Sequence, residues 1–313
     1  MKTLVFFSSM MILVACGPGS RNGGDDDDDD DDGADGGPGS GSGEAKRCNK
    51  MDLVFVIDDS GSMGEEQDNL ATNFPMFATL LSNYVNADGD KIDFRLAVTT
   101  TSRELRYTTQ PPPPLPAIVI SQPGDNGTFR NNCNLSRRWL EPNDPDMATT
   151  LSCRAKVGDD NPGAAEMPLL MPKYALSERM QDGTNTGFLR EDALLAVVTL
   201  TDENDSSTTQ NNFVLGPFDD FPLDFNPADL VAFYDNLKGN RTRWATAMIA
   251  GDGMCESAFG KADDAVRLKE FVTQANSQGS TQAVFSSICA GDLTIGLQQA
   301  LELFQDACSV IIL

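Results

Sequence analysis

Residues 52–58, DLVFVID, are apolar almost without interruption. A strand with one wet face alternates apolar and polar side chains. A strand without that alternation is buried on both faces, as in a parallel sheet covered by helices. Similar runs return in KIDFRLAVTTTS (91–102), EDALLAVVTLTDE (191–203), RTRWATAMIAG (241–251) and TQAVFSSI (281–288). The segments between them carry apolar residues at helical spacing. EEQDNLATNFPMFATLLSNYV places Leu70, Phe74, Phe77, Leu80, Leu81 and Tyr84 along one helix, with Pro75 positioned to kink it. PADLVAFYDNLKG (227–239), KADDAVRLKEFVTQANS (261–277) and AGDLTIGLQQALELFQDA (290–307) follow, the last with Asp292 as a cap. This alternation predicts an α/β fold: a doubly wound, mostly parallel sheet flanked by helices.

Residues 103–160 break the pattern. TTQPPPPLP and EPNDPD are extended or turn-forming, and Cys133 and Cys153 bracket much of the remainder. The expectation is an insertion on the rim of the sheet, stapled by a disulfide.

The first 16 residues, MKTLVFFSSMMILVAC, read as an export signal: a lysine near the start, an apolar stretch too short to span a bilayer, then small residues. LVAC resembles the lipobox of bacterial lipoproteins, which implies lipidation of Cys16. Gly17 stands where some bacteria use aspartate for inner-membrane retention, so the expected location is the outer membrane of the cell envelope. Residues 17–47, rich in Gly and Ser with Asp25–Asp32 in a row, have nothing apolar to bury and repel themselves. They are expected to form a disordered tether, leaving 48–313 as one domain.

Cysteine usage agrees with export. Setting Cys16 aside leaves six of the seven cysteines, an even number suited to three disulfides in an oxidising compartment. Fifteen pairings are open. The layout favours Cys133–Cys153 across the insertion, Cys255–Cys289 across a helical excursion and Cys48–Cys308 between the domain ends. There is no CxxC pair and no histidine, which weighs against thiolate or imidazole metal ligation and excludes a Ser-His-Asp triad. Asp202 and Glu203 are the nearest thing to a carboxylate pair, but neighbours on an extended strand face opposite ways. No enzyme is expected.

The net charge is −24, and −16 remains once the ten acidic and two basic side chains before residue 45 are set aside. Nucleic acid and direct adsorption to anionic lipid are disfavoured. The only membrane contact expected is the lipid anchor. The oligomeric state is left open.

In open α/β sheets, ligands bind beyond the carboxyl ends of the strands. Two predicted strands end in oxygen-bearing side chains: Asp58, Ser60 and Ser62 after the first, Asp202 with Glu203, Asn204 and Asp205 after the third. Short Asp and Ser side chains on a glycine turn are also ordinary helix-capping material. Two such ends together point instead to a hard cation held by oxygens. DDSGSM, with Asp-x-Ser-x-Ser directly after an apolar strand, resembles the metal-ion-dependent adhesion site of von Willebrand factor A domains. AVVTLTDEND resembles that family's later strand, whose terminal aspartate is here Asp202. The layout with its acidic tether is similar to von Willebrand A-type lipoproteins of myxobacteria-like bacteria. The resemblance implies Asp58, Ser60, Ser62 and Asp202 around Mg²⁺, Ca²⁺ or Mn²⁺, and a protein partner presenting a carboxylate. The family also supplies a threonine from a middle loop. The matching region, VGDDNPGAAEMPLLMPKYALSER, has none there, and Asp159, Asp160 or Glu166 can take its place. The alternative is a metal-independent envelope scaffold with a degenerate site.

Overall fold

The computed structural model describes residues 48–311 apart from 87, 159, 160, 162–164 and 259. The expected signal peptide with Cys16 and the tether lie outside the described residues. The chain runs β1 (Lys50–Ile57), α1 (Gly64–Asn83), β2 (Asp93–Thr100), β3 (Leu105–Thr109), β4 (Ile118–Gln122), α2 (Met147–Ala155), α3 (Leu170–Leu176) and α4 (Glu178–Gln181). It continues through β5 (Leu194–Leu200), β6 (Phe213–Leu215), α5 (Pro227–Lys238), β7 (Trp244–Ala250), β8 (Cys255–Ser257), β9 (Gly260–Ala262), α6 (Val266–Ala275), β10 (Ala283–Ser287) and α7 (Leu293–Val310).

Five strands form a parallel sheet in the order β10-β7-β5-β1-β2. Every residue of β5 and β7 is buried, as unbroken apolar runs require. Alternate side chains feed two cores. Leu53, Phe55 and Ile57 pack with residues of α1 and α7, while Val54 and Val56 pack with residues of α3, α5 and α6. In the first core, Phe55 meets Phe74 and Phe77 edge-on at ring-centroid distances of 4.8 and 5.4 Å. The doubly wound α/β class expected from the sequence is therefore present.

Three disulfides join Cys48 to Cys308, Cys133 to Cys153 and Cys255 to Cys289. The expected N-cap of the last helix also forms, with Asp292 accepting from the Thr294 N–H at 2.8 Å.

Two readings change. The insertion is not only loop and turn: β3, β4 and α2 lie inside it, and β3 pairs antiparallel with β4 and parallel with β6 from beyond β5. Tyr107 of β3 stacks on Phe213 of β6 at 5.1 Å, so a long-range aromatic contact holds strands too short to show periodicity. Lys261 and Ala262, read as the start of a helix, instead belong to the β8–β9 hairpin, and α6 begins at Val266.

The amino-terminal end of the sheet shows how this chain settles a buried charge. Asp52 is fully buried and accepts from the Arg190 N–H at 2.6 Å and from its guanidinium at 2.8 Å. The same guanidinium reaches Asp93 and the Met51 carbonyl. Arg190→Met should lower unfolding free energy by about 3–5 kcal/mol in denaturant titration, because the Asp52 carboxylate loses its counter-ion without regaining water. The double variant with Asp52→Asn should recover most of that loss. No recovery would mean that the guanidinium matters for packing and not for charge.

Candidate cation site at the carboxyl end of the sheet

Strand order reverses between β1 and β5: from β1 the chain moves outward to β2, and from β5 outward to β7 and β10. A crevice opens above such a switch point. The Asp58 N–H still bonds the Leu200 carbonyl at 3.0 Å, so the ends of β1 and β5 stay joined there.

Asp58 is fully buried and its two carboxylate oxygens are aimed by separate donors. One accepts from the Ser60 N–H at 2.8 Å and the other from the Thr201 hydroxyl at 2.5 Å. The Ser60 and Ser62 hydroxyls lie 3.1 Å apart, and Ser62 is near enough to Asp202 to favour its charged form. Gln67, one turn into α1, ties the Asp58 carbonyl (2.8 Å) to the Gly158 carbonyl (2.7 Å) of the third loop. Met167 of that loop donates its N–H to the Thr101 carbonyl at 3.0 Å, and the Glu166 carbonyl accepts from the Ser206 N–H at 2.7 Å. Three strand ends and the third loop are thereby laced together.

These bonds bring Glu166 to the site. Its Oε2 accepts from the Thr101 and Ser102 hydroxyls. One carboxylate oxygen from each of Asp58, Asp59 and Glu166 lies within 4.8 Å of the others. The structure thus gathers Asp58, Ser60, Ser62, Asp202 and Glu166 at one end of the sheet, whereas Asp159 and Asp160 lie outside the described residues. Sequence reasoning passed over Asp59, Thr101, Ser102, Asn161 and Thr201. Asp59 accepts from Ser102 at 2.5 Å and from Asn161 at 3.3 Å. A signal for Thr101 and Ser102 existed: β2 also ends in hydroxyls, TTTS, in the same position as the ends of β1 and β5. The face argument for Asp202 and Glu203 does not apply, because β5 stops at Leu200 and both residues lie in a turn.

Electrostatics set the site apart. Among the described residues the buried Asp58, Glu166 and Asp202 and the half-buried Asp59 make no salt bridge, whereas the buried Asp52 and Asp205 pair with Arg190 and Arg267 at 2.8 and 2.9 Å. Burial raises Asp58 to about 7, with the Asp202 charge adding to it and the bonds from Thr201 and Ser60 opposing. Burial likewise raises Glu66 to about 7 and lifts Glu166 well above the carboxylate range, the latter helped by the Asp58 charge. Asp59 and Asp202 move the same way, burial again being the largest cause. Buried oxygens of Glu66, Glu166 and Asp202 have no hydrogen-bond partner. Converging hard oxygens, several unpartnered and none matched by a positive side chain, fit a divalent cation. Ser62 is exposed at the rim, so the site opens to solvent.

Backbone contacts keep the far wall close. A Cβ on Gly251 would stand 1.9 Å from the Asp263 carbonyl, and the Asp263 N–H bonds the Asp202 carbonyl at 2.8 Å. Only glycine lets the loop after β7 approach so closely.

A pH dependence follows for the cation-free protein. Asp58 and Glu66 keep their protons up to about pH 7 when folded, but lose them near pH 4 when unfolded. Their contribution to stability is full below about pH 4 and is lost as pH rises through about 7. Denaturation midpoints measured with chelator from pH 4 to 8 should therefore fall. The fall should be shallower for Asp58→Asn, and identical slopes would rule out Asp58 as a source.

No family model and no curated protein matches this sequence. Several solved structures resemble the fold. Proximal thread matrix protein 1 from the mussel byssus aligns with a TM-score of 0.39 at 11% identity, over 83% of this chain and 47% of that one. This chain therefore spans about half the length of that protein. The human COPII-coat protein Sec24c gives 0.43 at 10% identity over 84% of this chain and 33% of its own. Manganese-loaded Plasmodium vivax TRAP protein gives 0.38 at 10% identity over 84% and 75%. Likenesses this remote transfer no residue roles, so the chemistry rests on the groups described above.

Proposed function

We propose that this domain is a cation-dependent interaction module: it holds a divalent cation at Asp58, Ser60, Ser62 and Asp202 and through it binds an acidic group on a protein partner. One observation carries the reading. Buried carboxylates converge at the switch point with no lysine or arginine among the described residues paired to them, in a molecule that supplies arginines to Asp52 and Asp205. A bound cation supplies the missing positive charge and a coordination position that a partner's carboxylate can take. Asp58 is the anchor, fixed by Ser60 and Thr201. Ser60 and Ser62 offer neutral oxygens, which leave the ion's charge less quenched than further carboxylates would. Asp202 faces Ser62 from the segment after β5. The exposed rim at Ser62 is where a partner can reach in.

Calorimetry with Mg²⁺, Ca²⁺ and Mn²⁺ tests the reading directly. At least one ion should bind with one-to-one stoichiometry, and failure of all three would end the proposal. Partner retention that is unchanged by chelator would favour the metal-independent scaffold instead. The export-type first 16 residues and the even set of disulfide cysteines support placing the domain on the cell envelope, lipid-anchored at Cys16 in the outer membrane. Cys16→Ser should release the chain from the membrane fraction.

A further inference from the structure

We propose that Asp59 and Glu166 join Asp58 as direct ligands and make this centre selective for Ca²⁺ over Mg²⁺. The inference rests on the cation reading above and names the ion. One oxygen from each of the three carboxylates lies within 4.8 Å of the other two. Three oxygens that near one another lie within about 2.8 Å of a common point, so modest side-chain adjustment brings them to the distances of about 2.3–2.6 Å that Ca²⁺ takes.

A second observation, independent of clustering, points to a ligand. Glu166 is 0% exposed and its Oε1 has no hydrogen-bond partner, although a buried carboxylate oxygen left so is costly. Its other oxygen is held by Thr101 and Ser102, so the carboxylate is fixed and keeps one oxygen spare. Asp59 is oriented by Ser102 and Asn161. Ser102, bonded to Asp59 at 2.5 Å and 3.3 Å from Glu166, stands between the two carboxylates.

The donor set then decides between ions. Mg²⁺ demands near-octahedral oxygens at about 2.1 Å, keeps several waters and is usually met by one or two carboxylates. Ca²⁺ accepts six to eight oxygens at longer and less regular distances. Three carboxylates exceed the one or two that Mg²⁺ usually takes from a protein, and each is already hydrogen-bonded in place. They suit the oxygen-rich, less regular sphere that Ca²⁺ accepts. A sphere of up to eight positions also leaves room for serine hydroxyls and a partner's carboxylate.

The test is calorimetry on the full chain with CaCl₂ and with MgCl₂, comparing wild type, Glu166→Gln and Asp59→Asn. Wild type should bind Ca²⁺ at least tenfold more tightly than Mg²⁺. Each variant should lose at least tenfold in Ca²⁺ affinity, with Mg²⁺ affinity changed less than threefold. A wild type that prefers Mg²⁺, or variants that keep Ca²⁺ affinity within threefold, would overturn the inference while leaving the cation reading intact. A wild type that binds neither ion overturns the inference, and if Mn²⁺ also fails to bind, the cation reading falls with it. Thermal melting in chelator reports folding, and Asp59, only partly buried, supplies a variant that folds even where Glu166→Gln does not.

Discussion

Asp58→Asn should abolish the stabilisation that divalent cation confers on the wild-type domain. A cation present at a hundred times its dissociation constant adds about 2.7 kcal/mol to the folded state. The variant should show no measurable rise in melting temperature at that concentration, which corresponds to an affinity loss of at least about 100-fold. The effect is expected to be the largest at the site for two reasons. Asp58 is the only carboxylate bonded directly to both the Ser60 backbone and Thr201, so it joins the end of β1 to the turn after β5. It also lies within reach of Asp59 and Glu166 while feeling the charge of Asp202, so its own charge counts wherever the ion rests in the crevice. Asparagine preserves the volume and can still accept from Ser60, which keeps the chelated variant folded. A cation-induced shift equal to that of wild type would remove Asp58 from the site.

Replacing Cys48 and Cys308 together with alanine should be the most damaging change away from the site. This bridge closes a span of 260 residues, against 20 for Cys133–Cys153. Chain-entropy arguments give about 5 kcal/mol for the longer closure and about 3 kcal/mol for the shorter. The bridge holds the start of β1 to the end of α7, whose Leu297, Leu301 and Phe304 fill one of the two cores. Without it the last helix frays from the sheet at its carboxyl end. Denaturant titration of the two double variants should rank them in that order. A loss below about 1 kcal/mol at Cys48–Cys308 would show that packing of α7 alone holds the terminus.

Much of this architecture was legible because it is written locally. The near-continuous apolar runs at 53–57 and 194–200 have only one comfortable environment, a parallel strand covered on both faces. The Asp-Ser-Gly-Ser turn after β1 was legible as an oxygen donor only beside the second oxygen-rich strand end at Asp202, since alone it also suits a helix cap. The accessory strands were not legible. β6 is three residues long and is held by Phe213 stacking on Tyr107, a contact no window of sequence contains. Lys261 and Ala262 joined a hairpin because the disulfide from Cys255 and the close approach at Gly251 constrain that loop, outweighing a local pattern suited to helix.

The site divides in the same way. Asp58, Ser60 and Ser62 follow from five adjacent residues, and Asp202 from the end of a recognisable strand. The placement of Glu166 at the site does not. It depends on Thr101, 65 residues away, and on backbone bonds that carry the third loop across the strand ends. Thr201 reaches Asp58 across 143 residues. By itself the sequence determined the strands, their burial on both faces and the kind of atom presented at their ends, because propensity and hydrophobic pattern act between near neighbours. Only the tertiary structure decided which carboxylates share one volume and that no arginine shares it with them. Desolvation and charge pairing depend on distance in space, and that distance is set by the packing of the whole sheet.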